Sequence, residues 1–139
     1  MRGGFLLLCA ALSLSACTTE LGPSQAELRA QWDAQNVTPQ NYKSDLIAFL
    51  RTYLNHPEGV RAASVSAPAL MHVGPGERYV ACVRHNARDM VGKYAGQKEG
   101  AAVFASAKLD RYIDHPAAVK ELCKSAAYAP FPELEALKR

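Results

Sequence analysis

Apolar residues at Tyr42, Leu46, Phe49, Leu50 and Tyr53 recur at steps of three and four, with Leu54 beside them, which predicts an amphipathic helix of about four turns. Thr38-Pro39 reads as its start, a hydroxyl N-cap followed by a proline where a helix has no use for the amide hydrogen. Asn55-His56-Pro57 reads as its end, because a residue before proline is pushed out of the helical region. Further along, the period changes to two. Tyr79, Ala81, Val83, His85 and Ala87 alternate with Arg78, Val80, Cys82, Arg84, Asn86 and Arg88. One face of this strand is therefore mostly apolar and turned to a core, and the other is basic except near Cys82. A run from Ala101 to Leu109 is apolar on both faces near its start, as in a central or covered strand. A shorter irregular run crosses Arg61 to Met71 and is broken by Pro68.

Gly74-Pro75-Gly76 marks a tight turn before the alternating strand. Asp89 to Gly100 reads as a long connection with glycines at 92, 96 and 100, of the kind that often carries function. After a short Arg111-Tyr112-Ile113 segment, Asp114 is placed to cap a helix with Pro116 in its first turn, running to about Lys124. The tail from Tyr128 to Leu134 is too apolar for a free end. It is expected to be pinned by Cys123 and to cover the sheet face that bears Cys82. The pattern predicts an α+β fold: an N-terminal amphipathic helix packed on a small antiparallel sheet of about three strands, with a short C-terminal helix and tail tied by a disulfide.

The first 17 residues have a different character. Arg2 lies in a short positive segment, Phe5 to Leu14 is an apolar run, and small residues follow. The run is about ten residues long, half of the roughly 20 that a bilayer-spanning helix needs, so it targets the chain rather than anchoring it. An ordinary secretory cleavage site has a small side chain three positions before the cut, where this chain has Leu14. Leu14-Ser15-Ala16-Cys17 resembles the lipobox of bacterial lipoproteins instead. That resemblance implies cleavage before Cys17, a diacylglyceryl group on its sulfur and an acylated amine. Several acyl chains at about 0.8 kcal/mol per buried methylene hold a protein durably on a membrane. Cys9, preceded by Leu8 inside the apolar run, is a poor lipobox and is expected to leave with the signal. Thr18, where an aspartate commonly retains such proteins in the inner membrane, favours the outer membrane. The expected organisation is a signal peptide over 1–16, a lipidated cysteine and tether over 17–37, and one domain over 38–139. A tether of about 20 flexible residues reaches roughly 25 Å, enough to hold the domain near the headgroups. Gln25 to Gln35 within it is helix-compatible, and its Trp32 is suited to touch either the membrane interface or the domain.

Composition narrows the classes further. The chain has 139 residues, 49% hydrophobic and 21% charged, consistent with one folded domain. Removing residues 1–16 leaves 15 Lys and Arg against 13 Asp and Glu, a net +2, too weakly basic to suggest a nucleic-acid partner. Losing Cys9 and lipidating Cys17 leaves Cys82 and Cys123 in a chain bound for an oxidising compartment, and they are expected to pair. The alternative is two buried free thiols. A redox couple is disfavoured, since no Cys-x-x-Cys is present.

Candidate chemistry is sparse. Tyr53-Leu-Asn-His56-Pro recurs as Tyr112-Ile-Asp-His115-Pro, but two histidines fall short of the three or four ligands of a zinc site. The repeat reads more simply as two His-Pro element boundaries, and neither a metal nor a cofactor is expected. Arg84, His85, Arg88 and Asp89 fall together at a strand end beside the glycine-bearing loop, which makes them the candidate site for an anion or partner. The competing reading is a solvated edge whose charges deter edge pairing. No Ser-His-Asp order, paired carboxylates, His-Glu-x-x-His or phosphate loop is visible. An enzyme is not expected, and would need a concave pocket holding a histidine or carboxylate of shifted pKa.

The body resembles short alphaproteobacterial lipoproteins of unknown activity in its Tyr-x-x-Asp-Leu-Ile-x-Phe-Leu helix, Arg78-Tyr-Val-x-Cys82-Val-Arg, Tyr94-Ala-Gly and Pro130-Phe-Pro-Glu-Leu134. A helix leading into a three-stranded meander is also similar to the small lipoproteins that accompany the outer-membrane barrel assembly machine, as fold analogy alone. Both imply an envelope role. The expected function is a lipid-anchored accessory or interaction module facing the periplasm, with a membrane and an envelope protein as its partners. The alternatives are a periplasmic small-anion binder and a small envelope enzyme.

Overall fold

The computed structural model describes residues 22–138. The expected signal peptide and Cys17 lie outside the described residues. The described chain forms helix α1 (Gln25–Ala34), α2 (Tyr42–Tyr53), strands β1 (His56–Ser66), β2 (Ala69–Val73), β3 (Gly76–Arg88), β4 (Lys98–Ala105) and β5 (Lys108–Ile113), then α3 (Pro116–Cys123), β6 (Tyr128–Pro130) and α4 (Pro132–Glu135). All six strands join one antiparallel sheet in the order β5-β4-β3-β1-β6, with β2 paired to β3 as well.

This architecture corrects the expectation of one helix on about three strands. The run from Arg61 to Met71 is two strands, divided at Ala67-Pro68, so that β1 pairs with the C-terminal half of β3 and β2 with its N-terminal half. At the break, the buried Ser66 hydroxyl accepts the Cys82 amide at 2.8 Å, where no ladder partner serves it on that side. The run from Ala101 to Leu109 also folds back on itself. Ser106 and Ala107, at φ +51° and +61°, form a two-residue hairpin turn between β4 and β5. Positive φ at both central positions normally selects Asn or Gly, so the turn carried no sequence signal. Gln35 supports it by accepting the Ser106 amide at 2.7 Å.

Two expected helix caps are engaged elsewhere. The Thr38 hydroxyl donates to the Tyr79 hydroxyl at 3.0 Å and Pro39 is fully buried, so α2 starts only after Asn41. The Asp114 carboxylate accepts from the Tyr53 hydroxyl, and α3 starts after His115 with Pro116 at its first position. In contrast, α1 carries a reciprocal cap: Ser24 Oγ accepts the Glu27 amide at 3.2 Å and Glu27 accepts the Ser24 amide at 2.7 Å.

The sheet is covered on both faces. Leu46 and Leu50 of α2 pack with Val65, Ala81, Val83, Ala102 and Phe104 on one face. Val80, Cys82, Ala101 and Val103 meet Val119 and Cys123 of α3 on the other. The Cys82–Cys123 disulfide ties α3 to β3 across 41 residues. The tail differs from its expected place. Tyr128 and Ala126 pack on the Cys82 face, but β6 then pairs along the edge of β1 and carries the chain round it. Phe131, Leu134 and Leu137 consequently enter the α2-side core, opposite Cys82. Burying these three side chains contributes about 1.5–3 kcal/mol each.

Within the segment expected as tether, Trp32 contacts the domain. Its indole Nε1 donates to the Glu77 carbonyl at 2.7 Å, and the ring lies against Gly76, where a Cβ would sit 2.7 Å from Cδ1. Arg78 stacks over the ring at 3.5 Å and donates to the Trp32 carbonyl, Asn36 Oδ1 and Gln35 Oε1. This places α1 at the end of the sheet that carries the Gly74-Pro75 turn. Among the described residues, no helix is long and apolar enough to cross a membrane.

Candidate functional site

Strand alternation separates the four residues singled out from the sequence. Arg84 is on the α3 face, where its guanidinium pairs with Glu99 at 3.0 Å and stacks on Tyr128 at 3.9 Å. Tyr128 also donates its hydroxyl to Glu99. His85 is on the α2 face and is 4% exposed. Asp89 closes a tight turn: its carboxylate accepts the Val91 amide at 3.0 Å and the Lys93 amide at 2.9 Å, and its own amide donates to the Lys93 carbonyl at 2.7 Å. These bonds fix the first part of the segment expected as a long connection. Tyr94 donates to the Gly59 carbonyl at 2.7 Å, Gly96 donates to Asn86, and β4 begins already at Lys98. Met90 and Val91 at the turn remain 81% and 76% exposed.

His85, Arg88 and Asp89, without Arg84, line a cleft of about 530 Å³ between the end of α2 and strands β3 to β5. Its floor depends on Gly100. A Cβ there would sit 2.0 Å from the Tyr112 hydroxyl oxygen, so the missing side chain lets the Tyr112 ring lie flat across β4. Phe49, Tyr53 and Tyr112 then form an aromatic cluster with centroids 5.0 to 5.2 Å apart. The hydrogen bond to Asp114 raises the Tyr53 hydroxyl to a pKa of about 12, and burial raises that of Tyr112 further.

The repeated Tyr-x-Asn/Asp-His-Pro segments come together at this cleft. Tyr53 and Tyr112 touch, and Asn55 and Asp114, the third residue of each segment, both line it. Among the described residues, no group of three or more His, Cys, Asp or Glu is placed to hold a metal ion. Tyr53, Tyr112 and Lys98 were missed as site residues. The repeat was the signal for the first two. Lys98 became visible only through strand register, which sets it opposite His85.

His85 is the unusual group of the cleft. Its Nδ1 is buried without a hydrogen-bond partner, against the rule that buried polar atoms are paired. Burial, and secondarily the Lys98 charge, lower its pKa from the ordinary 6.5, favouring the neutral form. Arg88 stacks on Tyr94 at 5.3 Å, and Arg61 stacks on the same ring at 3.9 Å. The cleft therefore presents a buried imidazole, aromatic walls, the cations Arg88 and Lys98 and the carboxylates Asp89, Glu99 and Asp114. A buried histidine of shifted pKa meets the least requirement set above for an enzyme. It lacks the hydrogen-bonded partner that would orient it as a base.

No family model, curated protein or solved structure matches the chain.

Proposed function

We propose that this protein is a lipid-anchored interaction module of the cell envelope, held at a membrane through Cys17 and meeting an envelope protein partner through the turn at Met90 and Val91. The carrying observation is the turn itself: Asp89 staples it rigid while Met90 and Val91 point into solvent at 81% and 76% exposure. Two apolar side chains displayed on an ordered turn reduce the entropy lost on docking. Direction also favours a protein partner over the anchoring membrane. Residues 17 to 22 span at most about 18 Å, so α1 and the Gly74-Pro75 end of the sheet stay close to the lipids. The 13 residues of β3 separate that end from the 90–91 turn by about 40 Å. The Leu14-Ser15-Ala16-Cys17 lipobox supports an outer-membrane, periplasm-facing location through Thr18 at the following position.

The test is photocrosslinking in cells, with a photoreactive residue placed at Val91 and, as comparison, at the exposed apolar Leu70 and Leu28. A discrete adduct from position 91 alone, lost when Met90 is replaced by Asp, is the expected result. Equal labelling from all three positions, or none, overturns the reading. Mass spectrometry of the membrane-purified protein reports the anchor: an unmodified Cys17 ends that part.

A further inference from the structure

We propose that the cleft between the end of α2 and strands β3–β5 binds a pyranose sugar, an uncharged ring whose C–H face lies on Tyr53 and Tyr112 and whose neighbouring hydroxyls bridge Lys98 and Asp114. The site is distinct from the turn at 90–91 and does not depend on it.

That the ligand is uncharged follows from which charges stand on the α2 side of the sheet. The lining as a whole holds Arg88 and Lys98 against Asp89, Glu99 and Asp114. Strand alternation puts Arg88 on the face of β3 opposite His85, and Glu99 belongs to that far face too, where it takes Arg84 and Tyr128. Asp89 is bound to two backbone amides of its turn. The α2 side keeps one charge of each sign: Lys98, which register sets opposite His85, and Asp114, which accepts from Tyr53. An ion of either sign is attracted by one of them and repelled by the other. Two adjacent hydroxyls suit both, since one oxygen accepts from the Lys98 ammonium while its neighbour donates to Asp114. Lys98 carries three donors and enters no ion pair among the described residues. The single bond from Tyr53 leaves the Asp114 carboxylate with further lone pairs.

The apolar demand comes from the floor. Tyr53 is 44% exposed, although Phe49 stacks on it and Tyr112 packs beside it with centroids 5.1 and 5.2 Å away. Its hydroxyl is tied to Asp114, which holds the ring at the rim of the cleft. Tyr112, lying flat over Gly100, continues the apolar surface with Leu54 and Ala87. The negative face of an aromatic ring attracts the slightly positive C–H bonds on the flat side of a pyranose. A volume of about 530 Å³ lies within the usual range of small-molecule sites. A linear polyol would leave the aromatic floor bare, and an aromatic alcohol with one hydroxyl would serve only one of Lys98 and Asp114. His85 lines the same cleft, so a sugar there alters the surroundings of its imidazole without any bond to the buried Nδ1.

The experiment is a titration of the full-length protein, in a detergent whose head group contains no sugar, following the imidazole resonances of its four histidines, His56, His72, His85 and His115. The probes are methyl glucoside, methyl galactoside, N-acetylglucosamine and cellobiose, with glycerol, benzyl alcohol, benzoate and benzylamine for comparison. The expected result is a saturable shift confined to His85 for at least one sugar, with a dissociation constant on the order of 1 mM. Lys98→Met, on an exposed side chain outside the core, is expected to weaken it about tenfold, as is Tyr53→Ala, and Lys124→Gln to leave it unchanged. The proposal is overturned by no shift at His85 from any of the four sugars, by equal binding of glycerol or benzyl alcohol, by tighter binding of benzoate or benzylamine, or by a Lys98→Met protein that binds as well as the parent.

Discussion

The two ends of β3 treat a buried polar side chain in opposite ways. At the N-terminal end Arg78, 3% exposed, has acceptors on Trp32, Gln35 and Asn36 and an indole face beneath it. Toward the C-terminal end His85, 4% exposed, has a buried nitrogen with no partner, and the neighbouring Lys98 and Arg88 are in no ion pair among the described residues. Each end uses the same device to bring an aromatic ring onto the sheet: Gly76 under Trp32 and Gly100 under Tyr112. Packing alone therefore does not distinguish them. Satisfaction of polar groups does. An end with every donor matched is a fastening, and an end with an imidazole left over is built around something else.

The largest effect is expected midway between the ends, where Cys82 ties β3 to α3. Reducing the disulfide, or replacing both cysteines with alanine, should lower stability by about 4 kcal/mol for a loop of this length and loosen both ends together. Denaturant unfolding with and without reductant checks it. A loss below about 1 kcal/mol would mean that packing by Val119 already holds α3. At the fastened end, Arg78→Met should cost about 3 kcal/mol, because it leaves three acceptors without their donor and bares the Trp32 face. Hydrogen exchange should then show α1 released while the His85 end stays protected. If α1 keeps its protection, Trp32 and Gly76 suffice as the fastening and the contrast between the ends is weaker than drawn.

The sequence made the faces of β3 legible, along with the cysteine pair, because strict alternation and an even count of thiols are strong local signals. The number of strands was not legible. Ser106-Ala107 turns a hairpin with residues that give no warning of it, and Pro68 looked like an interruption in one strand when it marks a change of partner along one edge of β3. Thr38 and Asp114 each looked like a helix cap, but the Thr38 hydroxyl donates to Tyr79 and the Asp114 carboxylate accepts from Tyr53, both across the fold. Such competition is decided by tertiary contacts that a local reading does not see. The site was half legible. Arg84 and His85 were grouped as neighbours in the chain, yet the pleat sends them to opposite faces, and Lys98 joins His85 only through cross-strand register.

A smaller effect separates the two ends by sign. His85→Leu should leave stability unchanged or raise it by about 1 kcal/mol, since it replaces an unpaired buried imidazole with an apolar side chain of similar size. The pH dependence follows from the same group. Its folded pKa lies below the ordinary 6.5, so the unfolded chain takes up a proton first on acidification. Stability is then full above about pH 6.5 and is lost as pH falls through the folded pKa. In His85→Leu that decline should flatten, while in Arg78→Met it should persist. A steeper decline in His85→Leu would show that acid loss resides elsewhere and that the imidazole is partnered in solution.

The smallest effect on stability is expected beyond the end of β3, at the turn itself. Met90 and Val91 touch so little of the protein that Met90→Asp should change the unfolding free energy by less than about 0.5 kcal/mol. Its consequence belongs to association: the photocrosslinked adduct at this turn should disappear although the fold and the cleft are untouched. Asp89→Ala tests the same point from inside the turn. Without its carboxylate the Val91 and Lys93 amides lose their acceptor, and the two apolar side chains are no longer held in one direction. Asp89→Ala should therefore weaken the adduct while leaving both exposed side chains in place. An adduct that survives Asp89→Ala but not Met90→Asp would assign recognition to the side chains alone, with no part for the rigidity of the turn.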